Sequence, residues 1–388
     1  AIIIGRRQMR RWLGPLLGIL LLGGIGVGIY FSAYEQQLLT QQQALERRQV
    51  TVRGVIGSEK EDFFRDARVV ETLRQRGLSV TVEKAGSRQI ATLPSLEQYD
   101  FAFPAGLPGA EKIRRERRAL SVYTPFFTPM AIASWQPIAD ILEGNGLARR
   151  AGDYYFLDMK KLIGLMNAGR RWRDLEHHEA YAVGKSILIS STDARKSNSA
   201  AMYLALFSFI ANGDEVVRND EQICRIYPAF RDIFLRQGFT EYSSEAPFED
   251  YQVMGMGKSP LVIIYESQFL QLAAQGRLRP EMVLLYPEPT VYTKHVLIAF
   301  TEAGQRLGEA LDTDPALRRL TVEYGFRTPD IAYFREFASQ HKVPVADTLV
   351  NVIEPPTFEI IETMITSIEA ALDRNRPDPF AHCGQGKP

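Results

Sequence analysis

From Val50 the chain alternates apolar and polar positions, and Val50-Thr51-Val52-Arg53-Gly54-Val55-Ile56 predicts a strand with one buried face. Gly57 follows, then Ser58 and Glu61 at capping-box spacing, predicting a helix from there to Arg76, stopped by Gly77. A second strand is expected over 78–83. It leads through Lys84-Ala85-Gly86-Ser87-Arg88 into a helical stretch near Gln89. Tyr99-Asp100-Phe101-Ala102-Phe103 predicts a third strand, ended by Pro104-Ala105-Gly106. Strand–helix–strand–helix–strand implies a parallel sheet covered on both faces. The pattern changes at the proline-bracketed run 123–129, after which 130–135 reads as a buried strand. A basic helical segment over 159–175 precedes a strand over 184–189, a polar loop over 190–199 and an apolar helix over 200–211. Strands are expected at 261–265 and 282–286, the latter leading through Pro287-Glu288-Pro289. The remainder reads as helical over 299–311, 315–323 and 358–372, and no internal repeat is evident.

The first forty residues change the picture. Arg6, Arg7, Arg10 and Arg11 precede an uncharged run from Trp12 to Tyr34, long enough to cross a hydrocarbon core of about 30 Å. The arginines hold the N-terminal end in the cytoplasm and send the rest across. Trp12, Tyr30 and Tyr34 sit where interfacial aromatics belong. The rival reading is a cleaved signal peptide, but the apolar run is longer than a signal core and Phe31 spoils a small-x-small site before Ala33. The expected organisation is therefore a basic tail (1–11), a transmembrane anchor (12–34) and a Gln-rich stalk (35–49) carrying a globular part outside the cytoplasm.

Composition confirms an ordinary globular chain. Its 388 residues suggest two lobes behind the anchor, and 24% charged with 45% apolar residues excludes disorder. Lys+Arg and Asp+Glu both total 46, so no net field favours nucleic acid, and no basic stripe carries interleaved aromatics. Cys224 and Cys383 are far apart with no metal-type spacing; whether they pair or remain free thiols stays open. Glu176-His177-His178-Glu179 reads as a solvated face, since adjacent histidines on a helix point apart. Gly255-Met256-Gly257-Lys258-Ser259 lacks the spacing of a phosphate loop and precedes a strand. No catalytic constellation, metal site or cofactor motif emerges, so the chain reads as a non-enzyme.

Three places suit a ligand. A helix start leaves backbone N–H groups unpaired and partly positive; small residues admit a ligand, and serine hydroxyls complete its hydrogen bonds. Gly57-Ser58, Gly86-Ser87 and Ser197-Asn198-Ser199 all begin helices after strands, where open parallel sheets bind ligands. If they converge on one cleft, an anion or anionic group is favoured. Arg88 stands by to balance its charge, and Ser191, Tyr265 and Glu266 lie at neighbouring strand ends. Each has a plain structural reading: Ser58 with Glu61 as a cap, Arg88 solvated, Tyr265 and Tyr286 packed in a core. Glu59 and Glu266, facing inward, would instead hold an amine, a metal or a lysine.

The order of elements, the serine-bearing turn 84–90, the loop and helix Lys196-Ser197-Asn198-Ser199-Ala200-Ala201-Met202-Tyr203-Leu204, the return crossing Leu285-Tyr286-Pro287-Glu288-Pro289 and the closing Tyr324-Gly325-Phe326-Arg327 together resemble the type II periplasmic solute-binding proteins, the sulfate/molybdate-like branch in particular. The resemblance spans about 50–328. It implies an α/β fold of two lobes, each a doubly wound sheet, joined by a double crossing. Lobe 1 would comprise 50–128 and 287–388, including a C-terminal helical elaboration, and lobe 2 would comprise 129–286. It also implies capture of a small molecule or oxyanion for an inner-membrane ABC-type permease or a signalling partner. The stretches 143–182 and 329–388 have no counterpart in that pattern. A retained anchor leaves a second expectation open, a scaffold subunit that keeps the fold without carrying a ligand.

Overall fold

A computed structural model describes residues 49–195, 197–237, 246–373 and 375–383, with 32, 34 and 36. The expected basic tail, anchor and stalk, and Lys196, otherwise lie outside the described residues. Among the described residues no helix is long and apolar enough to cross a membrane.

Lobe 1 is built on β1 (Val50–Ile56), β2 (Leu78–Lys84) and β3 (Phe101–Phe103), with β1 central and parallel to both neighbours. Gly54 interrupts β1 because the Phe101 ring occupies the space of its missing side chain; a Cβ there would sit 2.2 Å from the ring. The expected single helix over 58–76 is broken. Its capping box is absent, and after a short turn at Ser58–Lys60 come α1 (Glu61–Arg65) and α2 (Ala67–Gln75). Asp66 is extended between them, and its carboxylate accepts from Arg68 N at 2.7 Å to cap α2. Next come α3 (Ser87–Ile90) and α4 (Leu107–Glu116).

The proline-rich run and the strand expected after it are one continuous strand, β4 (Ser121–Trp135), with a register shift between Tyr123 and Phe126 where Pro125 lacks a donor. Ser121–Pro129 pairs in lobe 1, and Met130–Trp135 passes into the sheet of lobe 2. Lobe 2 then adds α5 (Gln136–Gly144), the hairpin β5 (Ala148–Ala151) and β6 (Tyr154–Asp158), α6 (Met159–Asn167), α7 (Asn198–Ala211), α8 (Asp220–Arg236) and α9 (Ala246–Met254). β7 (Val262–Tyr265), α10 (Glu266–Ala274) and β8 (Met282–Glu288) complete it. The helix read as apolar throughout, α7, is buried on nearly every side, as that composition requires. The strand expected over 184–189 contributes only isolated bridges, Arg171 with Ser186 and Ser190 with Val262.

The return crossing is β9 (Thr290–Ala299), a strand not anticipated from the sequence, antiparallel to β4 and β3. The path β2-β1-β3-β9-β4-β8-β6-β5 is therefore mixed rather than parallel, with a double crossing by β4 and β9 as expected. Helices α11 (Glu302–Thr313) and α12 (Pro315–Glu323) pack on lobe 1, and its two apolar clusters lie on opposite faces of its sheet.

The C-terminal segment departs from the expected division. It comprises α13 (Ile331–Gln340), β10 (Val352–Ile353) beside β9, and α14 (Phe358–Leu372). Phe334, Phe337, Ile361, Met364, Ile365, Ile368 and Phe380 join the core of lobe 2, not that of lobe 1. Cys224 of α8 and Cys383 form a disulfide that ties the tail to lobe 2. Such bonds persist in oxidising compartments.

Candidate functional site

The first loop of lobe 1 turns back on itself. Gly57 leaves room for the Glu59 carboxylate, which would lie 2.4 Å from a Cβ at that position. Lys60 is fully buried, donates to Glu59 and reaches His295 Nδ1 of β9 at 3.0 Å. Its ammonium lies 4.9 Å from the centre of the Phe103 ring. Burial, the largest influence on Glu59, resists its ionisation, but the Lys60 charge and His295 outweigh it and hold the carboxyl far below its usual range. Burial pulls Lys60 down, against the pull of Glu59. Burial and the Lys60 charge push His295 down to about 4, so the ring is neutral near pH 7. An ammonium offers only protons, so Nδ1 must accept and the ring N–H belongs on Nε2. That Nε2 is buried without a partner among the described residues, with Phe126 and Phe326 at ring distances of 5.1 and 5.0 Å.

The other expected helix starts do meet at the seam between lobes. Ser87 Oγ accepts from Ala105 N at 2.9 Å, fixing the loop after β3. Gly106 has φ +87, and a Cβ there would strike Asn198 Oδ1 of lobe 2 at 2.9 Å. Asn198 Nδ2 donates to Tyr265 Oη at 3.0 Å. Burial, and then the nearby Glu59 charge, push the Tyr265 hydroxyl above its ordinary value. Ser197 and Ser199 share a hydrogen bond at 2.8 Å, and Ser199 reaches Thr192 at 3.3 Å. Among the candidate residues, Ser87, Asn198 and Tyr265 therefore belong to one seam, and Ser58 shares with Tyr265 the cavity beside it.

Three candidates are otherwise engaged. Arg88 donates to both oxygens of Glu362, at 2.5 and 2.6 Å, and to Ala194 O at 2.6 Å. Ser191 donates to Gln237 Oε1 at 2.6 Å and lines a separate cavity of lobe 2. Glu266 is fully buried: Arg327 Nε and Nη2 reach its oxygens at 2.7 and 2.6 Å, and Tyr286 donates to it as well. The closing Tyr-Gly-Phe-Arg motif thus supplies a strut beneath the cleft. Gly325, at φ +77, lies too close to Ser267 O for any side chain, with a Cβ at 2.5 Å.

Beside this seam lies a cavity of about 220 Å³. Ser58, Glu59 and Asp62 wall it from lobe 1; Glu249, Tyr265, Gln268 and Arg277 wall it from lobe 2. The side chains of Asp62 and Glu249 have no partner among the described residues, whereas Arg277 donates to Gln275 at 3.2 Å and to Gln252 at 2.7 Å. Three carboxylates facing one largely spent guanidinium make the lining rich in acceptors. Asp62, Glu249 and Arg277 sit on amphipathic or loop stretches, where a charged residue reads as solvated, and no sequence signal singled them out. His295 had one: a lone histidine immediately before the apolar run Val296-Leu297-Ile298-Ala299.

No protein family and no curated protein sequence matches the chain. Solved structures do. An ABC transporter solute-binding protein from Thermotoga lettingae, bound with α-D-tagatose, matches at a TM-score of 0.50 and 14% identity, over 85% of this chain and 96% of that one. A periplasmic binding protein from Actinobacillus pleuropneumoniae with fructose 6-phosphate gives 0.49 at 10% identity, over 81% and 96%. The sulfate-binding protein from Mycobacterium tuberculosis gives 0.45 at 14%, over 77% and 93%. What is shared at such identities is the two-lobed, mixed α/β periplasmic-binding-protein fold.

Proposed function

We propose that the protein is an extracytoplasmic solute-binding protein, tethered by residues 12–34, that encloses a small polar ligand between its lobes for an ABC-type permease or a signalling partner. The observation that carries this reading is the cavity walled jointly by Ser58–Asp62 and Tyr265–Gln268, at the seam where the helix starts of both lobes meet. The disulfide supports a compartment outside the cytoplasm. Ligand capture without chemistry fits a site whose reactive groups, Glu59, Lys60 and His295, are committed to one another.

The ligand chemistry we favour differs from the anion expected at helix starts. Ser87 does not line the cavity, Arg88 is spent on Glu362 and Ala194, and the lining is dominated by carboxylate and amide side chains. Such a lining suits a donor-rich solute, an amine or a polyhydroxy compound carrying a positive group. Thermal-shift screening of the purified protein against amines, amino acids, sugars and oxyanions tests it. A compact cation should raise the melting temperature in a concentration-dependent way. Stabilisation by oxyanions alone would restore the original expectation, and no shift with any compound would sink the reading.

One observation favours the scaffold alternative: Arg88 joins the lobes through the chain's own groups, Ala194 O and Glu362. A protein that no solute stabilises, yet which co-purifies with a membrane complex, would establish it.

A further inference from the structure

Helix α14 belongs to both lobes. Its N-terminal turn lies on lobe 1, where Phe358 packs with Ile90, Ala91 and Ile113, Glu359 accepts from Arg115, and Glu362 receives the fork of Arg88. Its body lies in lobe 2, where Ile361, Met364, Ile365 and Ile368 are buried in that lobe's core. Beyond it the tail is fastened to α8 twice, by Tyr227 donating to Asp378 and by the disulfide Cys224–Cys383. Arg88 completes the junction, since the same guanidinium reaches Ala194 O in the loop before α7. Lobe 1 cannot rotate away from lobe 2 without drawing Phe358 out of its apolar seat and breaking both arginine contacts. The bidentate pair is of the geometrically demanding kind, only 14% exposed on the arginine side.

We infer that residues 358–383 form a strap that holds the two lobes closed, with Arg88 as its catch and the Cys224–Cys383 disulfide as its fixed end. This holds whether or not the cleft takes a solute, because every contact is within the chain. The strap makes the opening step depend on one partly buried ion pair and on the oxidation state of one cysteine pair.

Hydrogen–deuterium exchange of the full-length protein, without any added ligand, tests it. Glu362→Gln leaves a residue that still fits its half-exposed position, and removing the charge-assisted bonds should speed exchange over 86–91 and 192–199 by about tenfold. The core strands 50–56 and 262–265 should exchange as before. Reducing the disulfide with a dithiol, or the variant C224S/C383S, should speed the same two segments. Arg88→Gln, which also removes the bond to Ala194 O, should speed both segments at least as much as E362Q, and the double variant should add nothing beyond Arg88→Gln. Unchanged exchange in E362Q overturns the catch. Unchanged exchange after reduction, with E362Q faster, overturns the role of the disulfide. Acceleration spread over the core strands as well would mean lost folding and would also overturn the strap.

Discussion

Two buried charge clusters flank the seam, and they differ in how completely they are satisfied. In Glu266–Arg327–Tyr286 every group is engaged: Arg327 also donates to Ala346 O at 2.7 Å and to Asp347 O at 3.3 Å, and the Tyr286 hydroxyl accepts from Ala346 N at 3.2 Å. In Glu59–Lys60–His295 the histidine Nε2 has no partner among the described residues and lies beside Phe126 and Phe326, while Glu59 keeps 16% of its side chain exposed and lines the cavity. A buried polar network that is complete acts as a strut, while a carboxylate on a cavity wall can still accept hydrogen bonds from a ligand. The binding proposal depends on that difference.

The largest test breaks the strut. Arg327→Met leaves the Glu266 carboxylate buried beside Tyr286 without its counter-charge and should cost about 3–5 kcal/mol in chemical denaturation. Any solute that stabilises the wild type should raise the melting temperature of the folded variant by a similar amount. A loss of binding larger than the loss of folding would show that Glu266 belongs to the site.

How much of this was legible in the sequence follows from the range of each interaction. Strand β1, the turn at Gly57-Ser58 and the apolar helix α7 were readable because periodicity and helix-start residues are local signals. Strand β9 was hidden behind Pro287-Glu288-Pro289, and its Thr290-Val291-Tyr292-Thr293-Lys294 half alternates without a long apolar run, so His295 went unseen with it. The pairing of Arg88 with Glu362 spans 274 positions, and no local pattern encodes it. Asp66 looked like one more helical residue; its side chain could accept from the Arg68 N–H two residues on, and that local competition split the expected helix.

The acid response of the incomplete cluster gives the next effect. Folding lowers His295 from 6.5 to about 4, so the unfolded chain binds the proton more readily. The stability this group contributes is therefore fully present above pH 6.5 and is lost as pH falls toward 4. Protonating Nδ1 would set two cations 3.0 Å apart, across from the Lys60 ammonium. Glu59, lowered below 4.5, adds a loss of the same sign at still lower pH. The unfolding free energy from denaturant titrations should fall by up to about 3 kcal/mol between pH 7 and pH 4 in the wild type. His295→Gln keeps an acceptor for Lys60 and should flatten that slope. An equal slope in both proteins would remove His295 from the account.

The smallest effect tests whether the incomplete cluster communicates across the seam. Tyr265 stands between the lobes, accepting from Asn198 and close enough to Glu59 to feel its charge. Tyr265→Phe removes the hydroxyl that Asn198 uses and should cost only about 1 kcal/mol of stability, as one neutral hydrogen bond does. Its effect on a bound solute should be larger in proportion, because Tyr265 and Glu59 line the same cavity. The strut variant should show the opposite ratio, with folding lost and binding kept. If Tyr265→Phe and Arg327→Met lose folding and binding in the same proportion, the two clusters do one job, and the cavity loses its claim to be the site.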